Sequence, residues 1–175
     1  MNRFNPKLYW IKTPTRGRLA ISARPRGGDW LEDEIEGWRE QGVDTVVSLL
    51  TTSENEELGL QDEERFAKAK GLRFDFFPIE DRDVPRSAAK LQELAAQLGS
   101  EIQLGKNVAV HCRQGIGRSS LVSAAVLLFA GEDLNQALKS IRNARGLDVP
   151  ETVEQRRWLE QFAKTHESES LARRK

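Results

Sequence analysis

One cysteine in 175 residues cannot close a disulfide within its own chain. The fold is therefore not a disulfide scaffold, and a reducing compartment such as the cytoplasm fits. Histidine occurs twice, at 111 and 166, too few for a zinc site in partnership with one cysteine. A cysteine protease would need a separate histidine near Cys112, and only His111, its neighbour, and the tail residue His166 are on offer. Long apolar runs are missing too. The longest, LVSAAVLLFA at 121–130, is too short to cross a bilayer. No apolar segment follows Met1, so no secretory signal is expected, and the basic start is poor in serine and holds Tyr9, Trp10 and Pro14, unlike a transit peptide. The net charge is zero and the pI about 6.8, so nothing global asks for nucleic acid as a partner. Internal repeats and Pro/Gly/Ser-biased linkers are absent.

What is present is globular: 38% hydrophobic and 31% charged residues, in a length that suits one core. The expectation is a single domain over 1–163, monomeric, followed by a polar tail, KTHESESLARRK at 164–175, that frays. Charge is unevenly spread. Residues 1–28 carry seven basic side chains and no acid; residues 29–64 carry thirteen acids against Arg39 alone. The stretch 102–131 holds Lys106, Arg113 and Arg118 and no acid.

Patterning alternates between the two periods. LAIS (19–22), VVSLL (46–50), LRFDFF (72–77) and NVAVH (107–111) read as strands, the second as a buried one. Leu31, Ile35 and Trp38 share a helical face, with Asp29 as N-cap and Glu32 closing a capping box. A charged helix is expected over 60–70. Leu91, Leu94, Ala95 and Leu98 mark another, and 118–130, apolar all round, reads as a buried helix. Further helices follow at Leu134, Ala137, Leu138 and Ile141, and from about Asp148–Glu151 through Trp158, Leu159 and Phe162. Strands separated by helices predict an α/β fold with a central, mainly parallel sheet flanked by helices.

The single cysteine lies in HCRQGIGRSS, residues 111–120, between the NVAVH strand and the buried helix. Open α/β sheets keep their sites at strand C-termini. A helix N-terminus offers free N–H groups and a dipole to an anion. Gly115 and Gly117 let several N–H groups curl around one point, and Arg118 can add paired charge-assisted hydrogen bonds to a tetrahedral oxyanion. This is a phosphate cradle built from Arg113, Gln114, Gly115, Ile116, Gly117 and Arg118. A thiol facing amides and a guanidinium favours its thiolate form, and the acid-free stretch around it removes local opposition to that charge. A thiolate beneath a bound phosphate can attack phosphorus in line. The alternatives fit less well. The nucleotide-binding P-loop needs a lysine that Gly-Ile-Gly-Arg lacks, and a sulfurtransferase has no need of the Arg-Ser ending.

His111-Cys112, five intervening residues, then Arg118-Ser119 resembles the signature of cysteine-dependent protein tyrosine phosphatases. The Gly-Ile-Gly-Arg-Ser ending is most similar to their compact dual-specificity branch. The resemblance spans about residues 15–163. It implies a general acid on an earlier loop, and FPIEDRDVP, 77–85, matches that loop. Asp81 corresponds by position. Asp83 is its rival, with its own reading as N-cap of a helix starting at Val84-Pro85. The resemblance further implies nucleophilic Cys112, Ser119 as hydrogen-bond donor to the departing thiolate, and His111 as an organiser of the loop rather than a base. It gives Glu151 and Gln155 of PETVEQ a part in positioning water; a capping-box glutamate with a surface glutamine reads the same residues equally well. Arg24 and Arg26 read as solvated, His166 as inert, and Trp10, Trp30, Trp38 and Trp158 as packing residues.

The function so implied is hydrolysis of phosphoprotein monoesters through a phosphocysteine: phosphotyrosine, with phosphoserine and phosphothreonine tolerated by a shallow site. No metal and no cofactor is called for. Ile116, where lipid phosphatases carry added lysine, disfavours phosphoinositides. A lipid or small-molecule phosphatase, or a domain that binds phosphoproteins without turnover, is the alternative.

Overall fold

The computed structural model describes residues 6–174; positions 1–5, where the basic start and the reading after Met1 begin, and 175 at the end of the tail lie outside the described residues. Among the described residues five strands form one sheet in the order β1-β2-β5-β3-β4. They are β1 (Tyr9–Ile11), β2 (Leu19–Ala23), β3 (Thr45–Ser48), β4 (Arg73–Phe76) and β5 (Val108–Cys112). The α/β, mainly parallel expectation is met: β2, β5, β3 and β4 run parallel, and only β1 joins antiparallel to β2. β5 sits in the centre, with Leu19 and Thr45 both opposite Val108.

Helices α1 (Leu31–Glu40), α2 (Thr52–Leu58), α3 (Glu63–Ala69), α4 (Ala88–Gln103), α5 (Arg118–Phe129), α6 (Leu134–Arg145) and α7 (Val153–Ala172) complete the chain. They cover the sheet on two sides. Val108, Val110 and Cys112 of β5 belong to the core beneath α4, α5, α6 and α7. Ala109 belongs to the core formed with Leu31, Ile35 and Trp38 of α1 and Ala67 of α3. That alternation follows from the twofold side-chain period of a strand, and it sends Cys112 and His111 to opposite faces. α5 is buried along its whole length from Arg118 to Leu128, as apolar residues on every side of its 121–129 stretch require. No helix among the described residues is long and apolar enough to cross a membrane.

Several boundaries differ from expectation, each for a local reason. Asp29 does not cap α1: Gly28–Trp30 forms a 3-10 turn, and α1 starts with Trp30 at its N-cap and no side-chain bond. The charged stretch before 70 contains two helices, and α2 opens on a capping box of Thr51 and Glu54. Asp83 caps nothing; Ser87 accepts from Lys90 N–H at the start of α4. The last helix is capped by Thr152 with Gln155, not from Asp148–Glu151. Its end corrects the frayed tail: α7 runs to Ala172, with the His166 ring 4.3 Å from Phe129 and Gln92 donating to Glu169. Trp30, expected to pack, is 56% exposed with the Arg26 guanidinium over its ring, while Trp38 is fully buried.

Candidate active site

β5 ends at Cys112 and α5 begins at Arg118, so the connecting loop turns between a central strand and a helix N-terminus. Its tightness has a steric cause. Gly115 adopts φ +67°, and a Cβ there would lie 2.7 Å from the Ser22 carbonyl oxygen. Only glycine fits both constraints. The loop is tied to its neighbours by Arg24 N–H donating to the Arg113 carbonyl (3.3 Å) and Arg145 Nε donating to the Gly115 carbonyl (2.6 Å). The Arg145 guanidinium also lies over the Tyr9 ring, 3.7 Å from its centroid.

Cys112, nearly buried, places its Sγ 3.3 Å from Ser119 Oγ. With the sulfur charged, the hydroxyl becomes the donor across that contact. Arg118 is 2% exposed, and both of its terminal nitrogens are engaged. Nη1 donates to Glu54 Oε2 (2.7 Å) and the Ile79 carbonyl (2.8 Å); Nη2 donates to Glu54 Oε1 (2.9 Å) and Asp81 Oδ1 (2.9 Å). The paired contact with Glu54 fixes the guanidinium plane. Burial alone would raise Glu54, but hydrogen bonds from Arg118 and the Thr51 N–H, with the charges of Arg118 and Arg113, outweigh it and hold the carboxyl below its ordinary range. Burial likewise works against the Arg118 charge, and Glu54, Cys112 and Asp81 overcome it, raising the guanidinium further.

A cleft of about 100 Å³ opens over Cys112. Arg113, Gln114, Gly117 and Arg118 line it from the loop; Asp81 and Arg82 reach it from the 77–85 segment, and Glu151 from the turn before α7. Larger clefts lie between α4 and α7 (about 350 Å³) and between β1 and α6 (about 690 Å³), and neither is lined by Cys112 or its loop.

Cys112, Arg118, Asp81, Arg113, Gln114, Gly117 and Glu151 therefore meet around one cleft, with Ser119 beneath the sulfur. Gly115 faces Ser22 and Arg145 instead, and Ile116 packs half-buried against the core. Asp83 turns its carboxylate onto the N–H of Val84 (2.8 Å) and does not line the cleft. Gln155 is not a surface residue: it is fully buried beside Gly117. His111, 0% exposed, places Nε2 2.7 Å from Glu63 Oε1 on the far face.

The acid-free character of 102–131 does not extend to the site. Glu54 and Glu57 of α2, together with Asp81 and Glu151, converge on its arginines: Arg113 bonds Glu57 at 2.9 Å, and Arg82 bonds Glu151 at 2.7 Å. Linear charge density does not report charges that other elements bring in. Glu54, Glu57, Glu63, Arg82 and Arg145 all escape a reading of the sequence. For Glu54 a signal exists, since Thr51-x-x-Glu54 is a capping-box spacing. The pairing of Glu63 with His111, 48 residues apart, has no local signal.

A family model described as polymorphic toxin system, DSP-PTPase phosphatase matches residues 21–132. Cyclin-dependent kinase inhibitor 3 of Rattus norvegicus is 25% identical over 134 residues, 75% of this chain and 63% of that protein. The chain thus spans less than two thirds of the curated relative's length. Among solved structures, kinase associated phosphatase with its catalytic-site cysteine replaced by serine superposes with a TM-score of 0.81 at 20% identity, covering 94% of this chain and 98% of that one. Tk-PTP in its active form gives 0.71 at 29% identity, covering 91% and 97%.

Proposed function

Since the chain belongs to the DSP-PTPase phosphatase family of polymorphic toxin systems, we propose that it hydrolyses phosphate monoesters of phosphoproteins through a phosphocysteine. The observation that carries this reading is the meeting of Cys112, a guanidinium held flat by Glu54, and the Asp81 carboxyl around one small cleft. In the first step the Cys112 thiolate attacks phosphorus; the S–P bond forms as the ester P–O bond breaks. Asp81, carrying a proton in this step, gives it to the leaving oxygen. Arg118 and the N–H groups of the 113–118 loop receive the equatorial oxygens of a loose transition state. In the second step Asp81 takes a proton from water as its oxygen bonds to phosphorus and the S–P bond breaks. Ser119 stabilises the departing thiolate, and inorganic phosphate leaves. Two displacements replace one difficult one.

The cleft over Cys112 is smaller than those between α4 and α7 and between β1 and α6, which supports acceptance of phosphoserine and phosphothreonine beside phosphotyrosine. The test is release of phosphate from nitrophenyl phosphate with a chelator present, followed by a panel of phosphotyrosyl, phosphothreonyl and phosphoinositide substrates. Turnover in chelator with preference for the peptides is expected. Dependence on a divalent metal, or a preference for phosphoinositide, would overturn the respective part.

A further inference from the structure

The segment that carries Asp81 has no regular secondary structure between β4 and α4, so its position depends on individual contacts. One anchor belongs to the site already described: Arg118 holds the Ile79 carbonyl and the Asp81 carboxylate. The far half of the segment is held differently. Asp83 N–H donates to the Glu80 carbonyl at 3.0 Å, closing a turn in which Arg82 sits at φ +60°. That is a left-handed conformation that a non-glycine residue keeps only when its surroundings impose it.

Two residues, Glu151 in the turn before α7 and Gln155 in its first turn, contact it. Glu151 Oε1 accepts from Arg82 Nη1 at 2.7 Å. Gln155 Nε2 donates to the Asp83 carbonyl at 3.0 Å, while its Oε1 accepts from Thr152 N–H at 3.2 Å. The capping box therefore orients the amide, and the side chain is 0% exposed. Both residues reach across the phosphate-facing loop at Gly117. A Cβ there would lie 2.9 Å from Glu151 Oε2 and 2.9 Å from Gln155 Oε1, so the missing side chain is what lets them span to the acid segment.

We propose that Gln155 and Glu151 are positioning residues: they clamp the Arg82–Asp83 turn over Gly117 and so preset Asp81 at the height of the leaving oxygen. The inference rests on the phosphatase reading above and gives these side chains a part in the first chemical step rather than in placing water for the second. Proton donation demands close placement, and a misplacement of about 1 Å can cost about 100-fold. The effect scales with how much the leaving group needs the proton.

The test compares wild type, Gln155→Ala and Arg82→Ala on nitrophenyl, phenyl and alkyl phosphates. Arg82 is exposed, so its variant keeps the fold even if loss of the buried amide does not. Phenyl and alkyl phosphate turnover should fall about 10- to 100-fold further than nitrophenyl phosphate turnover does in the same variant. In an Asp81→Asn background both substitutions should lose their leaving-group effect. Equal losses on every substrate, or undiminished losses in that background, would overturn the proposal. So would a rapid-quench burst of nitrophenol followed by slow turnover in Gln155→Ala, since that places the defect in breakdown of the phosphoenzyme. Absence of turnover in the wild type would instead overturn the phosphatase reading itself.

Discussion

At the scale of single residues, the site turns on which charges face Arg118. Glu54→Ala removes both hydrogen bonds that fix the guanidinium plane and leaves a nearly buried cation with Asp81 and one carbonyl. A loss of about 3 kcal/mol is expected, measured as a fall in urea midpoint, together with a raised KM. The pH dependence has a definite sign. Glu54 titrates lower in the folded chain than its ordinary 4.5, so its contribution is complete above that value and disappears as pH falls through the depressed one. Acid unfolding below about pH 4.5 should accordingly be less steep in Glu54→Gln than in wild type; identical profiles would deny the pair that role. Asp81→Asn should slow phenyl phosphate hydrolysis by about 10²–10⁴-fold, and Asp83→Asn much less, because the Asp83 carboxylate is spent on the Val84 N–H. Cys112→Ser should abolish turnover yet retain affinity for inorganic phosphate by calorimetry. Cys112 and Arg118 are legible in the chain because they sit in one short spacing, and Asp81 through the resemblance of its segment. Glu54 and Glu63 are not, because each meets its partner only when the sheet brings α2 and α3 beside the end of β5.

At the scale of elements, local rules explain most of what was readable and most of what was missed. The strand β5, the glycine loop and the buried helix α5 follow from apolar runs broken by two glycines, since burial on every side needs no periodicity to recognise. Short charged helices offer no such face. α2 exists through its capping box and through Glu54 and Glu57 reaching the arginines of the loop. Thr51→Ala should therefore cost about 1 kcal/mol and also loosen Glu54, whose Oε2 accepts from both the Thr51 N–H and Arg118. A loss of stability with unchanged KM would separate the cap from the site. The caps misassigned at Asp29 and Asp83 show the limit of such signals: aspartate also serves turns, and the next residues decide which.

At the scale of the whole molecule, strand order assembles the site. β3 and β4 lie on one side of β5, running parallel to it, so the segments leaving their C-terminal ends, α2 and the acid loop, arrive at the same edge as Cys112. α7 closes that edge from the other side and continues well past the core. The proposed domain therefore includes 164–172 rather than ending at 163. Removing 164–175 uncovers Phe129, against which His166 packs. An aromatic contact of about 1 kcal/mol lowers Tm by about 2–4 °C in a domain of this size. An unchanged Tm by calorimetry would restore the boundary at 163.

The chain by itself determined the α/β class and the cysteine loop, because strand and helix periods, glycine turns and motif spacings are local properties that neighbouring residues carry. Tertiary structure alone decided that Glu54 holds Arg118 flat, that Glu63 meets His111, and that Gln155 is buried over Gly117. Those contacts join residues 64, 48 and 38 positions apart. They arise from the order in which parallel strands stack, a long-range choice that no short stretch of sequence encodes.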